Sequence, residues 1–199
     1  MAQTSVSSAV AGNLRAYSSI RWVASIVAGS VLVAICAHVS VPLFFTPVPM
    51  TMQPFAVLLL GLLLEPSAAF AALALYLVEG ASGLPVFTPQ GPGGVLQLIG
   101  PTGGYLMSYP LVAALVSSVY RRLRGRRFIS GLVAGAAGDL LILASGATWM
   151  SVVTHQHFST LLSLSVVPFL PGDALKVCAA AAIAAGWLRM RKPEEAIGR

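Results

Sequence analysis

A carboxylate and an amine, Asp173 and Lys176, lie three residues apart in a segment of the chain that is otherwise apolar. On a helix this spacing puts the two side chains about 60° apart around the axis, so that both can face one cavity. Charged groups are costly to bury in apolar surroundings, so they usually pair with each other or serve a function. The two side chains are therefore a candidate ligand site, and a mutual ion pair is an alternative compatible with ligand binding.

The dipeptide before Asp173 supports a site at the start of a helix. Pro171 and Gly172 interrupt the preceding segment, which predicts that Asp173 caps the first backbone amides of the last helix. Those amides add partial positive charge at that end. An anion or a urea-like group could be held there.

A second group of polar residues lies in the sequence Gly100-Pro-Thr-Gly-Gly-Tyr105, preceded by Gln97. Glycines allow close approach of a ligand or of a neighbouring helix, while amide and phenol groups can form hydrogen bonds. A phosphate-binding loop is not predicted, because the lysine of that motif is missing. The candidate binding residues of this segment are Gln97, Gly100, Thr102, Gly104 and Tyr105.

Other chemistries have little support in the sequence. His38, His155 and His157 have no cysteine or carboxylate at ligand spacing, so no metal site and no cofactor are predicted. There is no Gly-x-Ser-x-Gly motif for nucleophilic hydrolysis. Asp139 and Glu79 are the remaining carboxylates of apolar segments; each could line a cavity or bond to a helix neighbour, and the second role is favoured for Asp139.

The composition predicts an integral membrane protein. Charged residues make up 9% of the 199 residues, and the mean hydropathy is +0.85. Spans of roughly 20 residues leave room for one membrane domain of five or six helices. The net charge of +6 is explained by membrane topology, because the basic residues are grouped beside apolar segments, so no nucleic-acid partner is predicted.

Six membrane spans are consistent with the basic clusters. Basic groups lie before the first span, between the fourth and fifth, and after the last, so the positive-inside rule puts all three and both termini in the cytoplasm. We therefore predict an all-α, six-helix membrane domain at residues 21–190, with cytoplasmic segments 1–20 and 191–199. The predicted spans are residues 22–41, 53–64, 67–79, 103–120, 128–148 and a last one centred on 173–188.

Three irregular connections then lie outside. The first, residues 42–52, leads into two spans that prolines shorten to a hairpin. The second, residues 80–102, is long, neutral and rich in Gly and Pro, which favours a cover over the site. The third, residues 149–172, is apolar enough from 159 to 170 to form a re-entrant or interfacial helix.

The first span carries small residues four apart, Ala24 and Ala28. Small residues at this spacing let helix backbones approach closely in a membrane. Internal packing is one interpretation, and a docking face for a partner subunit is the other.

Four segments in order resemble the biotin-binding substrate-specificity subunit of the energy-coupling-factor (ECF) transporters. They are Pro49-Met-Thr-Met-Gln53, Gly83-Leu-Pro-Val-Phe87, Gly100-Pro-Thr-Gly-Gly-Tyr105 and Pro168-Phe-Leu-Pro-Gly-Asp-Ala-Leu-Lys176. The resemblance covers about residues 48–187. It implies a six-helix bundle that captures biotin at the outer face and is not itself an enzyme, with a transmembrane coupling subunit and two cytoplasmic ATPases as partners.

The resemblance also implies roles for individual residues. Asp173 and Lys176 would contact biotin, the loop before Gly100 would close the pocket, and Ala24 and Ala28 would meet the coupling subunit. The chain departs from some members in having no basic residue between Arg21 and Arg121 to meet the ligand's carboxylate. Alternatives are a specificity subunit for another small vitamin and a small intramembrane transferase.

Overall fold

The computed structural model describes residues 2–44, 46, 48–123, 125–155, 162 and 166–190, and of residues 2–18 the backbone alone. Within these residues the fold consists of seven helices and one pair of two-residue strands, which agrees with the all-α prediction. The elements are α1 (Ala2–His38), β1 (Ser40–Val41), β2 (Met50–Thr51), α2 (Gln53–Leu63), α3 (Pro66–Ala81), α4 (Gly94–Ile99), α5 (Gly103–Arg122), α6 (Arg127–Thr154) and α7 (Leu170–Met190).

Each of the six predicted spans lies on a helix of its own, and α4 is an additional helix inside the second predicted connection. Several boundaries differ from the prediction: α1 extends from Ala2 to His38 instead of over residues 22–41, and α7 begins at Leu170. Helix α6 continues past 148 to Thr154, because Trp149 to Val153 are mostly apolar, and it ends at His155, whose φ is 53°. The third connection therefore begins at His155. Half of the interfacial helix predicted at 159–170 lies outside the described residues, and residues 166–169 form turns before α7.

Prolines separate α2 from α3, as predicted. Pro66 occupies the first turn of α3, and the two residues before it, Leu64 and Glu65, are extended, with ψ of 161° and 154°. A residue before proline is kept out of the helical region by the proline ring, and proline itself fits the first turn of a helix. The helical segment is therefore interrupted between α2 and α3.

Helix α2 lies at the centre of the bundle. It packs against α1, α3, α5, α6 and α7, and eight of its eleven residues are buried. The short β1–β2 pair, in which Val41 is opposite Met50, directly precedes α2. The segment before α2 is thus held against the end of α1, since Met52 also donates its backbone N–H to Val39 O at 3.0 Å.

The outer surface of the bundle is apolar along its helices. Exposed large apolar side chains include Val27 and Val31 on α1, Leu111 on α5 and Leu140 on α6. By length and composition two helical segments, Ser19–His38 and Arg127–Thr154, are long and apolar enough to cross a membrane, and α2 and α3 are shorter apolar helices. Such a surface fits a membrane protein, because water does not favour large exposed apolar areas.

Glycines set the spacing between α5 and α6. A Cβ on Gly104 would lie 2.2 Å from Trp149 Cβ and 2.7 Å from Ser145 O, and one on Gly146 would lie 2.2 Å from the ring of Tyr105. These distances are far shorter than van der Waals contact, so any side chain would force the two helices apart. The indole of Trp149 then reaches beyond α5 and donates to Gly100 O at 2.9 Å.

Candidate functional site

A cavity of about 520 Å³, its open mouth included, lies between α2, α5, α6, α7 and the segments that connect them. Apolar and aromatic side chains form most of its wall, with polar groups on several elements. The lining residues are Val48, Pro49, Thr51, Gln53, Pro54, Thr88, Gln97, Thr102, Tyr105, Leu106, Tyr109, Asp139, Ile142, Leu143, Phe169, Asp173 and Lys176.

Asp173 and Lys176 face this cavity together, as their spacing predicts. Lys176 Nζ donates to Asp173 Oδ1 at 2.8 Å, and the two residues are 6% and 3% exposed, respectively. Helix α7 begins at Leu170, three residues before Asp173, and the backbone N–H of Asp173 already donates to Phe169 O. The predicted cap is therefore wrong: Asp173 lies in the first turn of the helix and its carboxylate accepts from Lys176.

Gln97 and Thr102 form a second polar part of the wall. Gln97 is 2% exposed. Its Oε1 accepts the backbone N–H of Gly93 at 3.2 Å and its Nε2 donates to Thr102 Oγ1 at 3.1 Å. The second bond joins α4 to the turn before α5, so residues of the second predicted connection form part of the cavity wall.

Tyr105 lines the cavity, whereas two glycines of the same motif do not. Gly100 and Gly104 lie behind the wall, where they contact the indole of Trp149. Both glycines therefore have a structural role. Gly104 lets α5 and α6 approach closely, and the carbonyl of Gly100 anchors the turn at residues 100–102 to Trp149.

Several lining residues were not singled out from the sequence. On α5 the lining residues recur at the helical period, from Thr102 through Tyr105 to Tyr109. Tyr109, four residues after Tyr105, could have been found by this spacing. Gln53 donates through Nε2 to the hydroxyl of Tyr76; it is a polar residue at the start of an otherwise apolar span, which is a signal of the same kind.

Asp139 also lines the cavity, which contradicts the favoured prediction that it bonds to a helix neighbour. It is 6% exposed, and its Oδ1 is the one buried side-chain nitrogen or oxygen without a hydrogen-bond partner in the described part of the chain. Glu79 behaves differently, because it accepts a short hydrogen bond from the buried hydroxyl of Ser30 on α1. The two carboxylates therefore have different roles.

The predicted docking residues lie on the outside of α1. Ala24 and Ala28 are exposed, whereas the neighbouring Gly29 is buried and so close to Ala72 that a Cβ there would be 3.0 Å away. Small residues on this helix thus serve internal packing on one face and remain open on another. Among the described residues no three histidine, cysteine or acidic side chains are grouped so that they could hold a metal ion.

The fold and the cavity define a class of protein: a helix bundle with an apolar outer surface and a partly polar cavity in its interior. Its fold matches that of a structure described as the S-component for biotin from an ECF-type ABC transporter, with a TM-score of 0.80 and 24% identity; the match covers 88% of this chain and 93% of that one.

The chain belongs to the BioY family, whose profile matches residues 6–193. It is 36% identical to the biotin transporter BioY of Thermotoga maritima over 163 residues, which are 82% of this chain and 91% of that protein. It is 35% identical to the probable biotin transporter BioY of Pyrococcus horikoshii over 154 residues, 77% and 87% of the two chains.

Proposed function

We propose that this chain is a biotin-capturing substrate-specificity component of an ECF transporter, and a transport protein rather than an enzyme. The observation that carries the proposal is the buried Asp173–Lys176 pair in the wall of a mostly apolar cavity. The relatives named biotin transporters make biotin the first ligand to test.

The chemistry of the cavity suits biotin group by group. The urea of biotin has two N–H donors and one oxygen acceptor, its ring and chain are apolar, and its end is a carboxylate. Asp173 accepts a urea N–H, and Lys176 donates to the urea oxygen or to the carboxylate. Side chains such as Leu106, Ile142 and Phe169 supply apolar surface for the ring and chain.

The proposed setting is the cytoplasmic membrane of a bacterium. Helices α1, α2, α3, α5, α6 and α7 are the six spans, both termini are cytoplasmic, and the cavity opens at the outer face. This is supported by the basic residues at the ends of the helices: Arg121 and Arg122 close α5, Arg127 begins α6 and Arg189 lies in the last turn of α7. A transmembrane coupling subunit and two ATPases complete the transporter.

Biotin binding to the purified, detergent-solubilised chain tests the function. We expect tight biotin binding by the wild type and at least about tenfold weaker binding by Asp173→Asn. The carboxylate of Asp173 pairs with Lys176 and accepts the urea N–H, and the amide of asparagine lacks its negative charge. Isothermal titration with competing vitamins is the measurement. If the folded wild type does not bind biotin but binds another vitamin, the proposal of biotin is wrong and the chain is a specificity component for that vitamin.

The docking proposal has its own test on α1. Ala28→Trp places a large side chain on the exposed face of the helix, so we expect loss of biotin uptake by cells that contain the complete transporter. Binding by the isolated chain should not change, because Ala28 is remote from the cavity lining. Val27→Trp is the matched control on an adjacent exposed position. Uptake that Ala28→Trp leaves intact would place the coupling subunit on another surface.

A further inference from the structure

One carboxylate oxygen of Asp139, Oδ1, faces the cavity region without a hydrogen-bond partner among the described residues. Near the middle of α6, Asp139 shares one face of the helix with Ile142 and Leu143, and all three line the cavity. Its Oδ1 is buried without a hydrogen bond in the part of the chain described here. Native proteins satisfy nearly all buried polar atoms, so an exception in a cavity wall indicates a partner that enters the cavity.

The backbone that carries Asp139 is fixed by its neighbour. A Cβ on Gly138 would lie 2.3 Å from Val116 Cγ2 and 3.0 Å from Leu58 Cδ2, so α6 is pressed against α5 and α2 at this point. Close packing of this kind leaves little room for the helix to shift or rotate. Asp139 is therefore held toward the cavity.

The other charged and amide groups of the wall already have partners. Lys176 donates to Asp173, Gln97 donates to Thr102, and Gln53 donates to Tyr76. The wall carries two carboxylates, Asp139 and Asp173, and among the described lining residues the one basic side chain is Lys176. An anionic group of a ligand is disfavoured beside Asp139, whereas an N–H donor fits there.

We propose that Asp139 is a second carboxylate contact for the ligand, in which Oδ1 accepts one urea N–H of biotin while Asp173 accepts the other. This inference rests on the proposed function. It also orients the ligand: the urea enters first, between the two carboxylates, and the anionic tail points toward the connecting segments that carry Val48 and Thr88.

The first test is the affinity of Asp139→Leu for biotin. We expect a loss of at least about tenfold, because leucine fills a similar space without an acceptor. The ligand-free protein should melt at the same temperature or higher, since an unsatisfied buried oxygen is removed. A role in folding alone would lower both the affinity and the melting temperature. Leu140→Ala, at a 59% exposed position of the same helix, is the control and should bind like the wild type.

The second test changes the ligand. Biotin methylated at either of the two urea nitrogens lacks one N–H. The affinity of each methylated isomer is measured for the wild type, Asp139→Leu and Asp139→Ala. For one isomer, the factor by which methylation lowers the affinity should be at least about threefold smaller in Asp139→Leu than in the wild type, as expected for partners in direct contact. Asp139→Ala, which also lacks an acceptor, provides the same comparison if the leucine variant does not fold.

The outcomes separate the two proposals. A wild type that does not bind biotin overturns the proposed function. A wild type that binds biotin, with Asp139→Leu equally tight and both methylated isomers losing the same factor in every variant, overturns the contact at Asp139 alone.

Discussion

Lys176→Ala is expected to abolish measurable biotin binding and to lower the free energy of unfolding by up to about 3–5 kcal/mol. The reason is the burial of its partner: Asp173 is 3% exposed and loses the ammonium group that lies 2.8 Å from its carboxylate. Removing one member of a buried ion pair leaves an uncompensated charge, which costs far more than the intact pair contributes. Equilibrium binding and thermal unfolding in detergent measure the two effects.

A double variant separates binding from stability. In Lys176→Met with Asp173→Asn both charges are gone, so most of the lost stability should return, because neutral groups of similar size are tolerated where a broken pair is not. Biotin binding should stay absent. Recovery of binding in the double variant would show that the pair serves the fold alone and would remove both residues from the ligand site.

Gly104→Ala is expected to destabilise the protein by about 1–3 kcal/mol and to weaken ligand binding in the folded fraction. The added methyl group would lie 2.2 Å from Trp149 Cβ and 2.7 Å from the carbonyl oxygen of Ser145, so α5 and α6 must separate. Separation pulls the indole of Trp149 away from Gly100 O. The turn that ends at Thr102 then loses its support, and Thr102 is part of the cavity wall.

Gly186→Ala is the matched control for this prediction. Gly186 also lies within a helix, but a Cβ there meets nothing within 4 Å. Alanine favours the helix over glycine by roughly 0.5–1 kcal/mol, so this variant should be as stable as the wild type or more so. If Gly104→Ala has the melting temperature of the wild type, α5 and α6 can separate at little cost in stability, and the prediction is wrong.

The parts of the fold that depend on local chemistry could be predicted from the sequence. Proline restricts the residue before it wherever it stands, so Glu65-Pro66 predicts the break between α2 and α3 that the structure contains. The three-residue spacing of Asp173 and Lys176 likewise predicts that the two side chains lie on one face of a helix. The first inference depends only on the backbone conformation allowed before proline, and the second depends only on the repeat of an α-helix.

Features that depend on packing could not be predicted in this way. Helix α4 has six residues in a connection rich in glycine, and it is held by bonds from Gln97 that no local pattern reveals. The direction of Asp139 depends on how Gly138 fits against α5 and α2. The position of Gly104 behind the cavity wall depends on Trp149, which is 45 residues away in sequence.

The position of Trp149 also makes the intrinsic tryptophan fluorescence of the protein useful for following ligand binding. Trp149 contacts Gly100 at the end of the bundle where the cavity is covered, whereas the exposed Trp22 and Trp187 lie about 16 and 14 residues along their helices from His38 and Asp173, at the other end. Tryptophan emission is sensitive to the polarity around the ring. Trp149 is hydrogen-bonded to the turn at residues 100–102, and Thr102 of this turn lines the cavity, so we expect ligand binding to change the tryptophan emission through this turn.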